Sequence, residues 1–257
     1  MSPGDEKDRE AARAARLAAE AGDADAARRQ RLFALLGGAA LLAVIVVVVL
    51  VVISQGGDDT DADAPPSAEL SEVTERGIAL GDPDAPVTIV EFADPQCPFC
   101  AEYTTDVQPD LVEKYVQSGD VRMELRLLTF IGPDSLRLAN AAYAASEQDG
   151  LWAFTDLAYA RQGAEGSGYA DDAFIESAAT DAGLDPEPIV AAAEQPPVEV
   201  EALVGEAKAE AARSGVSSTP SFLIGPTGGE LEPLEVDSLE LSAFEGPIDD
   251  AIAAAKP

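Results

Sequence analysis

The stretch "VTIVEFADPQCPFCAEY", Val87 to Tyr103, constrains the fold of this chain more than any other segment. Val87–Phe92 is rich in β-branched and aromatic residues and apolar on both faces, the pattern of a strand buried within a sheet. It leads into Cys97-Pro-Phe-Cys100, which holds the only two cysteines of the chain. Pro98 is a residue favoured at the first position of a helix. Cys97 would then stand at a helix N-terminus, where backbone dipoles and free N–H groups hold a thiolate and lower its pKa. Cys100, one turn further in, would be the shielded resolving thiol. A strand followed by Cys-x-x-Cys opening a helix is a redox signature.

Other uses of the two cysteines fit less well. Structural zinc takes about four ligands, chiefly cysteine and histidine, and the chain has no histidine. A purely structural disulfide across so short a loop would constrain the unfolded chain little. Inert buried thiols would have no reason to sit at the start of a helix. No metal and no organic cofactor is therefore expected.

The elements that follow alternate between strand and helix. A helix is expected from Pro98 to about Tyr115, with Phe99, Tyr103, Val107 and Leu111 as its stripe and Pro109 kinking or breaking it. Val121–Leu128 alternates strictly and reads as a second strand. Helices are expected over Ser135–Gln148, Leu151–Ala160, Asp171–Gly183 and about 200–215, with Gly183 and Gly215 at the C-caps. Ser221–Gly225 and Glu230–Val236 read as a terminal strand pair. A last helix carries Phe244, Ile248 and Ile252 on one face, with Pro247 placed to start or bend it. The region from about residue 76 to 257 reads as one α/β domain.

Ahead of that domain runs "LFALLGGAALLAVIVVVVLVVI", Leu32–Ile53, with no charged side chain. A helix of this length would span roughly 33 Å, enough for a hydrocarbon core of ~30 Å. A cleaved signal peptide is the rival reading, but its apolar region is usually shorter and ends near a small-residue cleavage site. A retained signal anchor in the lipid bilayer fits best. Arg28, Arg29 and Arg31 flank its N-terminal end, so residues 1–31 are expected in the cytoplasm and the bulk of the chain outside it. There, disulfides form and persist. Residues 54–75, acidic and poor in apolar side chains, read as a flexible tether.

Charge removes one class of partner. The chain has 48 acidic and 16 basic residues, net −32, and because residues 1–31 are balanced the whole excess lies beyond them. A protein that binds nucleic acid needs a basic face for the phosphates, and nothing here supplies one.

Three segments in order, "GDPDAPVTIVEFADPQCPFCAEY", "SLRLANAAYAASEQDGLWAFTDLAY" and "GVSSTPSFLIG", resemble the membrane-anchored DsbA-like thiol:disulfide oxidoreductases of Gram-positive, including actinobacterial, type. The resemblance implies a thioredoxin fold with an inserted helical subdomain, here about residues 133–200. It implies that Thr219-Pro220 forms the loop whose cis proline packs beside the active-site disulfide and presents backbone groups to an extended substrate segment. Read from sequence alone, Pro220 could equally be an ordinary turn proline, and Thr219 a hydroxyl residue the loop tolerates. Pro98 and Phe99, between the cysteines, join these as substrate-contacting positions. Glu91 matches the acidic residue beneath the active site in such enzymes, where a raised pKa would let it relay a proton to or from Cys100. The alternative is that Glu91 points to water at the strand end. Phe99 departs from the histidine common at that position, so a less acidified Cys97 is expected.

The function implied is introduction of disulfides into exported, cysteine-containing proteins, with reoxidation by a quinone-linked membrane oxidase of the DsbB or vitamin K epoxide reductase type. Two alternatives remain open at this point. One is a tethered thiol reductase, for example in cytochrome c maturation; the other is a binding or chaperone module with an inert cysteine pair.

Overall fold

The structure, a computed structural model, describes residues 68–255. The segment 1–31 expected in the cytoplasm, the span expected over Leu32–Ile53 and the greater part of the tether expected over 54–75 lie outside the described residues. Among the described residues no helix is long and apolar enough to cross a membrane.

In chain order the elements are α1 (Ala68–Ser71), β1 (Glu75–Arg76), β2 (Ala79–Leu80), β3 (Val87–Ala93), α2 (Pro98–Asp106), α3 (Gln108–Leu111) and a π-helical turn (Val112–Val116). Next come β4 (Val121–Leu127), α4 (Pro133–Ala145), a 3₁₀ turn (Ser146–Gln148), α5 (Leu151–Ala160), α6 (Asp172–Asp181) and α7 (Pro186–Glu194). The chain closes with α8 (Val198–Arg213), β5 (Ser221–Pro226), β6 (Glu232–Pro233) and α9 (Leu241–Ala255). The six strands form one sheet in the order β1-β2-β4-β3-β5-β6.

β3 is the strand expected at the centre. It pairs parallel with β4 and antiparallel with β5, and all seven of its residues are buried. Successive side chains of a strand point to opposite faces. Val87, Ile89 and Ala93 therefore join the larger core beneath α2 and α9, while Val90 and Phe92 pack with Leu128, Ala207, Ala211 and Leu223 on the other face. β4 alternates as its sequence does: Val121, Met123, Leu125 and Leu127 point inward. Arg126 on its other face pairs with Glu124 and with Glu210 of α8, both at 2.7 Å.

Pro109 acts as expected. α2 stops at Asp106, Val107 leaves helical geometry (φ −120°), and α3 restarts with Pro109 in its first turn, where a missing N–H costs nothing. Three features differ from the sequence reading. α7 was not anticipated, because "PEPIVAAAE" carries two prolines; both sit in its first turn, and Asp185 caps it by accepting from the Glu187 N–H at 3.2 Å. Pro247 does not start the last helix: it lies inside α9, which already begins at Leu241.

Packed structure also begins before residue 76. Leu70 belongs to the core, β1 and β2 form a two-residue hairpin, and Glu75 Oε1 accepts the Trp152 N–H at 2.6 Å. Trp152 Nε1 donates to Ile78 O at 3.2 Å. Two-residue strands have no readable periodicity, so the composition of this stretch alone suggested a tether.

Candidate active site

Cys97 ends the loop that leaves β3. It is the N-cap of α2, with extended backbone (φ −73°, ψ 119°) and Pro98 as the first helical residue. Its N–H donates to Asp94 O at 2.8 Å, and its carbonyl accepts from the N–H groups of Cys100 and Ala101, both at 3.1 Å. The loop and the first helical turn together fix where the sulfur points. Both cysteines are free thiols and buried.

The Thr219-Pro220 peptide is cis, as the resemblance implied. It brings the carbonyl of Thr219 to Cys97, whose Sγ–H donates to it at 3.3 Å. Residues 122 positions apart thus form one surface at the reactive sulfur. Pro98 and Phe99 border the same sulfur, and the Phe99 side chain is 60% exposed.

The two thiols are driven apart in acidity. Cys97 is lowered to about 6, foremost by the hydrogen bond from the Cys100 side chain, with Thr219 and the backbone N–H groups of Cys100 and Phe99 adding to it against the effect of burial. Burial first, and then the neighbouring Cys97, push Cys100 well above the ordinary thiol range. Phe99 contributes its backbone N–H to this shift and has no side-chain charge to add. The groups that hold the thiolate are a thiol, a hydroxyl residue and helix-terminal amides, none of which requires a ring at position 99.

Glu91 does not face water. It lies on the β3 face that carries Val87 and Ile89, is 1% exposed, and stands across from Leu125 of β4 and Phe222 of β5. Burial pushes its carboxyl up to about 8, and its Oε2 has no hydrogen-bond partner. Its charge is felt by Cys100, Tyr103 and Tyr159. A neutral buried acid electrostatically coupled to the resolving thiol has the chemistry for proton exchange with it.

The matching family model, described as thioredoxin, covers residues 73–239, more than half of the chain. The chain belongs to the thioredoxin family. Among its relatives, the probable disulfide bond formation protein D of Bacillus anthracis is 41% identical over 86 residues, 33% of this chain and 40% of the relative. Disulfide bond formation protein D of Bacillus subtilis is 33% identical over 85 residues, 32% of this chain and 38% of the relative. The chain thus spans about two fifths of the length of these relatives. Among solved structures, oxidised BdbD from Bacillus subtilis superposes with a TM-score of 0.59 at 19% identity, covering 74% of this chain and 97% of that one. A thioredoxin-like oxidoreductase from Silicibacter pomeroyi gives 0.53 at 29% identity over 76% and 97% of the two chains.

In this thioredoxin-family chain the site also depends on residues that sequence reasoning passed over. Asp94 is fully buried. Its Oδ1 accepts from Gln96 N–H at 2.9 Å and from the Ser135 hydroxyl at 2.6 Å, and its Oδ2 accepts from the N–H groups of Phe130 and Ile131 at 2.6 and 3.2 Å. Gln96 donates to Ser135 Oγ at 2.9 Å and accepts the Gly166 N–H at 2.7 Å. The Tyr159 hydroxyl donates to Asp94 O at 3.0 Å, and Gln162 Nε2 to the carbonyls of Pro95 and Cys97 at 3.0 and 3.3 Å. This network ties the cysteine loop to the helical subdomain. The signal within the sequence was Asp94 itself, a charged residue directly after a fully apolar strand end.

Proposed function

We propose that this chain is a DsbA-like thiol:disulfide oxidoreductase that introduces disulfides into exported proteins. The observation that carries the reading is the placement of the acidified Cys97 sulfur against the cis Thr219-Pro220 peptide, with Cys100 and Glu91 sealed behind it. In the oxidised enzyme a substrate thiolate attacks Cys97 Sγ. The Cys97–Cys100 bond breaks, and its electron pair leaves with the Cys100 sulfur, which takes a proton. A second substrate thiolate then attacks the substrate sulfur of the mixed disulfide, and Cys97 departs as a thiolate. The substrate segment lies along the carbonyl edge at Thr219, with Pro220, Pro98 and the exposed Phe99 around it, in the manner of strand addition. The names of the Bacillus relatives support the same reaction class.

A quinone-linked membrane oxidase of the DsbB or vitamin K epoxide reductase type would restore the disulfide, and Leu32–Ile53 would hold the domain at the outer face of the membrane. Protease added to intact spheroplasts is then expected to remove the domain and spare the N-terminal segment; protection of the domain would reverse that placement.

The direction of electron flow follows from the stability of the two redox forms. A Cys97 thiolate gains electrostatic stabilisation that an uncharged disulfide cannot, so the reduced form is expected to melt several degrees above the oxidised form at pH 7–8. A thiol whose folded pKa is depressed to about 6 contributes this stability fully above its ordinary value of 9.0 and loses it as pH falls through 6. The gap should therefore close by about pH 5. Incubating oxidised protein with a reduced, unfolded disulfide protein tests the reaction itself. Disulfide transfer is expected; electron flow only from an added donor would select the reductase, and no transfer the binding module.

A further inference from the structure

The turn that carries Cys97 out of β3 is held from outside. Asp94-Pro95-Gln96-Cys97 is a β-turn closed by the Cys97 N–H on Asp94 O at 2.8 Å, with aspartate at its first position and proline at its second, where each is favoured. Such a turn uses the carbonyl of its first residue and leaves the next ones without an internal partner. The Pro95 carbonyl finds its partner in the Gln162 side chain, whose Nε2 donates to it at 3.0 Å. The same nitrogen donates at 3.3 Å to the Cys97 carbonyl, which also takes the N–H groups of Cys100 and Ala101 at the start of α2. A primary amide has two N–H groups, and Gln162 spends both on joining the turn to the helix.

Gln162 is itself held in place. It follows α5, its own N–H donates to Tyr159 O at 3.1 Å, and it is half-buried. The chain then folds back closely: a Cβ at Gly163 would stand 2.5 Å from the Tyr169 ring, and the Tyr169 hydroxyl donates to the same Pro95 carbonyl at 3.4 Å. The Cys97 sulfur needs such fixing, because the groups that serve it converge from two parts of the chain. They are the side chains of Cys100 and Thr219 and the N–H groups of Cys100 and Phe99, and they meet it only while Cys97 keeps its N-cap backbone (φ −73°, ψ 119°). We propose that Gln162 is a positioning residue for the redox reaction: its amide locks the Asp94–Cys97 turn to the start of α2 and so keeps the Cys97 sulfur among its donors. The titratable groups about the turn are Asp94 itself, Cys100 of α2, and Tyr159 and Tyr169 of the helical subdomain. Gln162 has no charge to gain or lose, so it acts by geometry alone. The helical subdomain, which supplies Gln162, thereby takes part in setting the balance between disulfide and dithiol.

Because this role presupposes the dithiol–disulfide reading of Cys97 and Cys100, the experiment follows the thiols themselves. In full-length wild type, Gln162→Met and Tyr169→Phe, thiolate absorbance is titrated from about pH 4 to pH 9 and the disulfide is equilibrated with glutathione at pH 8, with the melting temperatures of both redox forms. Gln162→Met keeps nearly the length of the side chain and removes both donors. It is expected to raise the Cys97 pKa by roughly half a unit to one unit, the scale of one net hydrogen bond. The glutathione equilibrium at pH 8 should then move about three- to tenfold towards the disulfide. Tyr169→Phe takes only the second donor from Pro95 O; it should shift both readouts the same way by less, and it decides the matter if Gln162→Met does not fold. An unchanged titration and an unchanged glutathione equilibrium, with both redox forms losing melting temperature equally, would overturn the role and leave Gln162 a strut, with the redox function intact. A wild-type Cys97 that titrates as an ordinary thiol, or a disulfide that glutathione does not open, would overturn both.

Discussion

Cys100→Ser is expected to convert the enzyme from a catalyst into a trap, with thiol-sensitive adducts at Cys97 and turnover reduced by roughly a hundredfold or more. The reason lies in how the two sulfurs are held. Cys97 is the acid thiol, at about 6, and remains an attacking thiolate at neutral pH after the change, because a serine hydroxyl at position 100 can still donate a hydrogen bond to it. Serine cannot attack the mixed disulfide that Cys97 forms, since an alcohol has no accessible anion in this pH range. Release then depends on an external thiol. Non-reducing gels followed by mass spectrometry of the Cys97 peptide check this, with Cys97→Ser expected to give neither adducts nor turnover. Absence of adducts in Cys100→Ser would show that Cys97 is not the attacking sulfur.

The second large effect concerns stability. Glu91→Gln is expected to stabilise the domain at pH 8–9 and to leave it unchanged near pH 4, while slowing disulfide opening. The carboxyl is fully enclosed and raised from 4.5 to about 8. For an acid raised in this way, the neutral form is favoured by folding. Its contribution is complete below about pH 4.5 and is lost as pH rises through 8. A displacement of that size corresponds to on the order of 5 kcal/mol, a large part of the roughly 5–15 kcal/mol by which domains are stable. Wild type should therefore lose stability steadily between pH 5 and 9, and Glu91→Gln should lose much less. Denaturant unfolding of the reduced forms at pH 4, 7 and 9 measures the difference. Parallel pH profiles for the two proteins would mean that Glu91 reaches water in solution. The stability lost to an uncompensated buried acid is consistent with a residue kept for chemistry rather than for the fold.

Local patterns carried much of the architecture. The two-sided apolar run of Val87–Phe92 specified a central strand, because only a strand with neighbours on both edges and cover on both faces buries every side chain. The strict alternation of β4 gave its inward and outward faces, and Pro109 marked the break after α2. Cys97 and Cys100 were legible for the same reason: helix entry after a strand is written in adjacent residues. Elements too short to hold a period were not legible, as with the β1–β2 hairpin, and neither was α7, whose prolines matter only relative to a helix start that a distant packing partner selects.

Sequence alone determined that this chain has a redox-competent cysteine pair at the mouth of a buried strand, followed by helices and a Thr-Pro loop in an order that resembles a known family. Three things were decided only in the tertiary structure. Alternation placed Glu91 on the same face as Val87 and Ile89, but which face lies beneath α2 depends on how α2 and α9 close over the sheet, and that is what turns a strand carboxylate into a buried acid. The Asp94–Gln96 network required Ser135, Phe130 and Gly166 to arrive from 36 to 70 residues away. The acidity of Cys97 required Thr219 to meet it from 122 residues away. Strand and helix identity are set by neighbours along the chain, whereas burial and proton affinity are set by what surrounds a group in space.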